Sequence, residues 1–186
     1  MANVSRPLIL RNIEIYGASV AALRLQNVRL VRLENLFLHG SEVGLFLSGS
    51  EKVVAQNVIV RECHDAIRVM FSRELQFLQI HVAKAMTGVW FQGVQDSSLL
   101  DSVIAECGLG ILLELGSAGN IVAGNAFRRN HIHARSEGKN SFDDGRRGNF
   151  WEEFEAEDKD GDGILDVPYL VGPDSDRFPL ASPPRL

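Results

Sequence analysis

A 22-residue repeat limits this chain to few folds. A small residue precedes an aliphatic one at Ala22-Leu23, Gly44-Leu45, Ala66-Ile67, Gly88-Val89 and Gly110-Ile111, each pair 22 residues after the last. At Ile132-His133 the pattern degrades. A second column runs Asn12, Asn35, Asn57, Gln79, Ser102, Asn125, at steps of 22 or 23. Two columns with one period mark a solenoid, in which each repeat stacks on its neighbours.

Within each period the apolar pattern alternates. One strand reads Leu8/Leu10, Val31/Leu33, Val53/Ala55, Leu75/Phe77. The next reads Ile13/Ile15, Leu36/Leu38, Val58/Val60, Ile80/Val82, Val103/Ala105. The third reads Leu23/Leu25, Leu45/Leu47, Ile67/Val69, Val89/Phe91, Ile111/Leu113. Alternation puts each pair on one face of a strand. Three short strands fill 22 residues and leave no room for a helix. The expected fold is all-β: a right-handed parallel β-helix of about six coils over residues 1–140. At ~4.8 Å per coil the rod is roughly 29 Å long. The amide column is expected to bond rung to rung. The Gly/Ala column is expected to let the chain turn.

Charge divides the chain. Residues 1–140 hold 14 Lys/Arg against 12 Asp/Glu; residues 141–186 hold 5 against 12. The second segment is therefore an acidic C-terminal cap. With a pI near 5.5, bulk charge does not bind nucleic acid here. No apolar run is long enough for a membrane span. The first residues, Met1-Ala-Asn-Val-Ser, lack a signal-peptide pattern.

Cys63 and Cys107 lie 44 residues apart, two rungs in one column with Ser19, Ser41 and Ala85. Two rungs are roughly 9.6 Å, beyond the ~7 Å a disulfide spans, so free thiols are expected. His131 and His133 share a strand face and form a candidate copper pair, without a third ligand nearby. The acidic run Asp158-Lys-Asp160-Gly-Asp162-Gly-Ile164-Leu-Asp166 has calcium-loop spacing. Carboxylates stand at loop positions 1, 3, 5 and 9, glycine at 6, and the Ile164 carbonyl at 7. Tyr169 replaces the closing Glu, and Pro168 discourages a following helix. The expectation is a structural Ca²⁺ outside an EF-hand.

Tail motifs then occur in a fixed order: Asn149-Phe-Trp151-Glu-Glu-Phe154, the acidic loop, Asp166-Val-Pro168-Tyr169, and Asp176-Arg-Phe-Pro179-Leu180. This order resembles the ending of NosD-like β-helix proteins, and the repeats match that family's right-handed β-helix. The resemblance implies an extracytoplasmic protein, periplasmic or secreted. It also implies one of two roles: a carbohydrate-binding and sugar-hydrolase domain, or an accessory protein for copper-site assembly in nitrous oxide reductase. Trp151, Phe154 and Pro179-Leu180 are expected to cap the last coil, where Arg128 and His133 stand in core positions. Leu8 already sits on a core column, so a longer parent chain or a second copy is expected to cover that end.

Two outward columns could carry function. Arg24, Phe46, Arg68, Trp90 and Leu112 alternate arginine with aromatic, beside Gln26, Ser48, Met70, Gln92 and Glu114. Aromatic planes suit sugars and arginine forks suit carboxylates, so Arg24, Phe46, Arg68, Trp90 and Glu114 form the expected ligand face for a polysaccharide or a protein partner. The other column reads Glu14, Phe37, Ile59, His81, Ile104, Phe127, apolar enough to expect a cover. No paired carboxylates flank one bond as hydrolysis requires, so a non-catalytic module is expected. The enzyme alternative is a polysaccharide lyase or glycoside hydrolase, with Arg68 near Glu114 its best pair.

Overall fold

A computed structural model describes residues 7–114 and 116–185. They form sixteen strands and no helix, so no helix here is long and apolar enough to cross a membrane. The chain winds into a parallel β-solenoid of about six turns. Leu8–Tyr16 pairs with Arg29–His39, which pairs with Glu51–Met70, and the ladder continues through His81–Gln92. Three parallel sheets result, one for each strand of the repeat. The coil must turn sharply between them, and residues with positive φ do this. Asn12, Asn35, Asn57 and Gln79 occupy one such corner, with φ of 53 to 56°. Asparagine tolerates this left-handed conformation better than most residues.

The amide ladder forms only in the first coils. Asn35 Nδ2 donates to Asn12 Oδ1 at 3.0 Å, and Asn57 Nδ2 to Asn35 Oδ1 at 3.3 Å. Gln79 is met instead by Gln56 Nε2. Ser102 and Asn125 do not continue this column, which is a correction to the sequence reading. The positive-φ position passes to Asp101 and Gly124. Ser102 and Asn125 follow one residue later, and both are buried.

The second sheet is corrected with them. The inward pairs of the later coils are Ser102/Ile104 and Asn125/Phe127, not Val103/Ala105. Register proves it: Val82 pairs with Ile104, Ile104 with Phe127, and Phe127 with Trp151. Ile104 and Phe127 are therefore core residues. The outward column is Glu14, Phe37, Ile59, His81, Val103, Ala126. Arg128 pairs with Ala105 and faces solvent, while Ala134 occupies the inward place expected of His133. The core does not degrade there.

The sixth coil is held by a belt of asparagines. Asn120, Asn125 and Asn130 stand at its three corners, 23 residues after Ser97, Ser102 and Cys107. Each Oδ1 accepts the backbone N–H of that earlier residue, at 2.9 to 3.0 Å. Each Nδ2 donates to a carbonyl further back: Val94, Leu99 and Ile104, all at 2.9 Å. A buried polar group costs stability unless it is paired, and these are paired on both sides. Asn140 and Asn149 repeat the arrangement in the next coil.

Beyond residue 140 the parallel pairing continues at Ile121↔Ser141 and Phe127↔Trp151. Trp151 stacks between Phe127 (4.5 Å) and Tyr169 (4.2 Å) and closes the core. Asp176, fully buried, ends the polar column. It accepts from Asn149 N, Trp151 Nε1 and Phe178 N at 2.7 to 3.0 Å. At the opposite end Leu8 is 55% exposed, with Ile9 and Ile13 also open.

Burial pushes the Asp176 carboxyl up to about 6, against those hydrogen bonds. The folded state therefore holds a proton where the unfolded carboxyl, with its pKa near ~3.9, has lost it. The Asp176 contribution to stability is greatest below ~3.9 and declines as pH rises through about 6. We predict that the stability difference between wild type and Asp176→Asn shrinks as pH is raised from 4 to 6.5, measured by urea unfolding. A pH-independent difference would refute this.

Candidate functional site

The third sheet builds the ladder face, and it begins at the small-residue column. A Cβ on Gly44 would lie 2.2 Å from Val60 Cγ1 and 2.6 Å from the Ala66 carbonyl oxygen. Only glycine fits that corner. After it, Leu45 and Leu47 turn inward and Phe46 outward. Strand register then sets Arg24, Phe46, Arg68, Trp90 and Leu112 in one column. The column has a sixth member. Leu112 pairs with Arg135, an exposed arginine that the sequence reading missed. The 22-residue step becomes 23 between Ile111 and Ala134, which hid it.

The side chains form two like units. Arg24 Cζ lies 5.0 Å from the Phe46 ring centroid, and Arg68 Cζ 4.0 Å from that of Trp90. Each contact contributes about 0.5–1 kcal/mol at an exposed site. A guanidinium thus stands over each ring. Trp90 Nε1 donates to Glu114 Oε2 at 2.9 Å. Beneath Arg68 lies Asp65, 4% exposed, with Oδ2 3.6 Å from Arg68 Nη1. Asp65 Oδ1 and Arg68 Nε are buried without a hydrogen-bond partner. The chain of groups runs carboxylate, guanidinium, indole, carboxylate.

In the tail, carboxylate oxygens of Asp158, Asp160 and Asp162 lie within 4.8 Å of one another. Their oxygens also fold the loop: Asp158 accepts from the Gly161 and Gly163 N–H, Asp160 from Asp162, and Asp162 from Ile164. Asp166 is not brought into this group; it accepts from the Lys159 N–H at 2.9 Å. Ile164 bridges Leu180, and Ala181 N donates to the Gly163 carbonyl. The loop is therefore clasped to the chain end. Three hard oxygens fit Ca²⁺, which takes oxygen ligands.

The candidate copper donors are spread out. His133 Nε2 meets the Glu152 carbonyl at 2.8 Å, and Nδ1 lies 3.4 Å from Asn130 Nδ2. His131 is exposed. Cys63 and Cys107 are free and buried. Burial raises both thiols, Cys107 to about 11, so neither is a thiolate at neutral pH. Among the described residues the one convergent group of three potential metal ligands is the all-oxygen aspartate cluster. That donor set does not suit Cu(I), which favours sulfur and imidazole.

Fold and face together define a parallel β-solenoid with one decorated side. Residues 3–156 match the family model described as periplasmic copper-binding protein (NosD), and the chain belongs to the NosD family. It is 34% identical over 90 residues to a probable ABC transporter binding protein NosD from Pseudomonas aeruginosa. That match takes in 47% of this chain and 20% of the relative, so the chain spans about a fifth of that protein's length. The A-module of the mannuronan C-5 epimerase AlgE6 from Azotobacter vinelandii superposes with a TM-score of 0.65 at 14% identity. The superposition covers 71% of this chain and 43% of the module. At that identity the likeness concerns the fold alone.

Trp90→Phe keeps a ring beneath Arg68 and removes the donor to Glu114. We expect a loss of about 1 kcal/mol in chemical denaturation, the value of one hydrogen bond. No change would mean the indole–carboxylate bond adds nothing to the face.

Proposed function

We propose that this chain is a non-catalytic, extracytoplasmic binding module whose ladder face takes an extended glycan and whose cap is held by structural calcium. The observation that carries the reading is the repeated arginine-over-aromatic unit, Arg24·Phe46 and Arg68·Trp90, two rungs apart. A guanidinium already held over a ring loses less freedom when it meets a carboxylate or a pair of hydroxyls. Glu114 fixes the Trp90 ring in place, and Gln26, Ser48 and Gln92 supply hydrogen-bonding groups in the next column. A pyranose unit is about as long as one strand spacing, so a chain along the rod meets one rung per sugar. Asp158, Asp160 and Asp162, with the Ile164 carbonyl, would hold the calcium, while Asp166 braces the loop through the Lys159 N–H. Bound there, the ion would neutralise acids that repel one another. The family description supports placement outside the cytoplasm.

A second reading rests on the resemblance of the tail motifs: an accessory role in copper-site assembly of nitrous oxide reductase, the ladder docking a protein partner. The family description, periplasmic copper-binding protein, is in keeping with it. The scattered soft donors argue that such a role would work through protein contact. A lyase or hydrolase reading has only the fold likeness to the epimerase module behind it.

Wild type and Trp90→Ala should be compared on an array of neutral and uronic-acid polysaccharides. Retention by wild type and its loss in the variant is expected; a variant that binds equally well removes the ladder from the reading. Protein purified without added metal should carry about one calcium and no copper. At a hundredfold excess over Kd, calcium should add about 2.7 kcal/mol of stability, lost on chelation. Stoichiometric copper would favour the accessory role instead.

A further inference from the structure

At the corner that follows the ladder strand, one turn position is filled by Asn27, Gly49, Phe71 and Gly93 in successive coils. Asn27, Gly49 and Phe71 donate their N–H groups to Ser48, Met70 and Gln92 of the next coil. All four residues have positive φ, from 47 to 63°. Asparagine and glycine are the usual occupants of such a position. A bulky aromatic is not, and Phe71 is the one aromatic among the positive-φ residues. It also buries little, since it is 66% exposed. The ring therefore contributes little to the core and occupies a backbone conformation that costs stability. Strain of that kind tends to persist where a surface is used.

The surroundings indicate the use. The ring lies over Gly93: a Cβ there would come within 2.8 Å of Phe71 Cδ1. Glycine thus leaves room for the ring, whose Cδ1 and Cε1 pack against that position while 66% of the residue stays exposed. Beside it opens a hollow of about 410 Å³, bounded by Glu51, Arg73, Gln95 and the backbone of Gly49. Arg73 Nε and Nη2 both donate to Glu51 Oε2, at 3.3 and 2.9 Å. This joins the pair while leaving further Arg73 N–H groups for other partners. Glu51 Oε1 itself faces Arg29 Nε at 3.4 Å and Lys52 Nζ at 3.8 Å. A flat apolar ring next to a fixed carboxylate–guanidinium fork and an amide matches a pyranose. Its C–H face lies on the ring and its hydroxyls reach the fork. An apolar peptide side chain would find a hollow walled by charge.

We infer that Phe71, with Glu51, Arg73 and Gln95, forms a sugar-stacking subsite at the corner of the rod, separate from the arginine/aromatic ladder. The inference takes its ligand class from the glycan reading above, but its residues are its own. The test uses the whole chain and an array of neutral and uronic-acid oligosaccharides. Four variants are compared with wild type: Phe71→Gly, Phe71→Leu, Phe71→Tyr and Trp90→Ala. Leucine is a fair control, because Leu30 holds φ of 59° in this chain.

Phe71→Gly and Phe71→Leu should lose at least tenfold in apparent affinity, and Phe71→Tyr should keep it. The Tm of Phe71→Gly should hold or rise, because glycine relieves the turn. Loss of binding in Trp90→Ala with full binding in Phe71→Gly would overturn the subsite and leave the ladder standing. The opposite pattern would keep the subsite and remove the ladder. A lower Tm in Phe71→Gly would make the ring structural and overturn the inference. It would fall too if wild type retained no sugar, or if Phe71 mattered only toward a purified protein partner.

Discussion

Strand pairing from coil to coil is the constraint on which the rest depends. Each coil must carry its N–H and C=O groups into register with the next, and three sheets must do so at once. The chain can meet that demand only by turning tightly between strands. Hence the left-handed residues at the corners, Asn12, Asn35, Asn57, Gln79, Asp101 and Gly124 among them. Each except glycine strains the backbone slightly, and each is held because the strands on both sides are already paired. The same pairing fixes what lies inside and outside. Once the Gly44 corner is made, Phe46 has nowhere to point except toward solvent.

Much of this architecture was legible because apolar alternation and a constant step are properties of a sequence. The three sheets and the register of the Arg24-to-Leu112 column followed from it, whereas the aromatic closure at Trp151 was expected from the tail motifs. The reading failed where the core changed chemistry. From the fifth coil on, the inward place held by Leu36, Val58 and Ile80 passes to Ser102, Asn125 and Asn149. A search for aliphatic pairs slips by one residue there and selects Val103 and Ala105. That slip also turned Ile104 and Phe127 outward; Arg135 was hidden by the separate 23-residue step between Ile111 and Ala134. The missed signal was the five-residue spacing of Asn120, Asn125 and Asn130, one per corner. Phe71 was missed for a different reason: a single aromatic in a turn has no period to announce it.

The candidate site divides in the same way. Spacing alone predicted that Arg68 and Trp90 would be neighbours. It could not predict that the guanidinium would stand 4.0 Å over the indole, or that Asp65 would sit buried beside it. Nor could it assign Asp166, whose side chain closes the acidic loop onto Lys159 rather than joining the other three carboxylates. Side-chain geometry of this kind depends on contacts from distant coils, and a local motif does not contain them.

The buried polar columns run in one direction. In the later coils a side-chain oxygen of the following coil accepts a corner N–H from the one before, so these coils pass an unmet N–H forward. Asp176 stops the relay in the second sheet, because its carboxyl oxygens accept from Asn149, Trp151 and Phe178. The two ends of the rod are therefore chemically unlike. Among the described residues one end is closed by a carboxylate and a stacked indole, whereas Leu8 and Ile9 at the other are exposed. The closed end is made without a helix or a disulfide among the described residues.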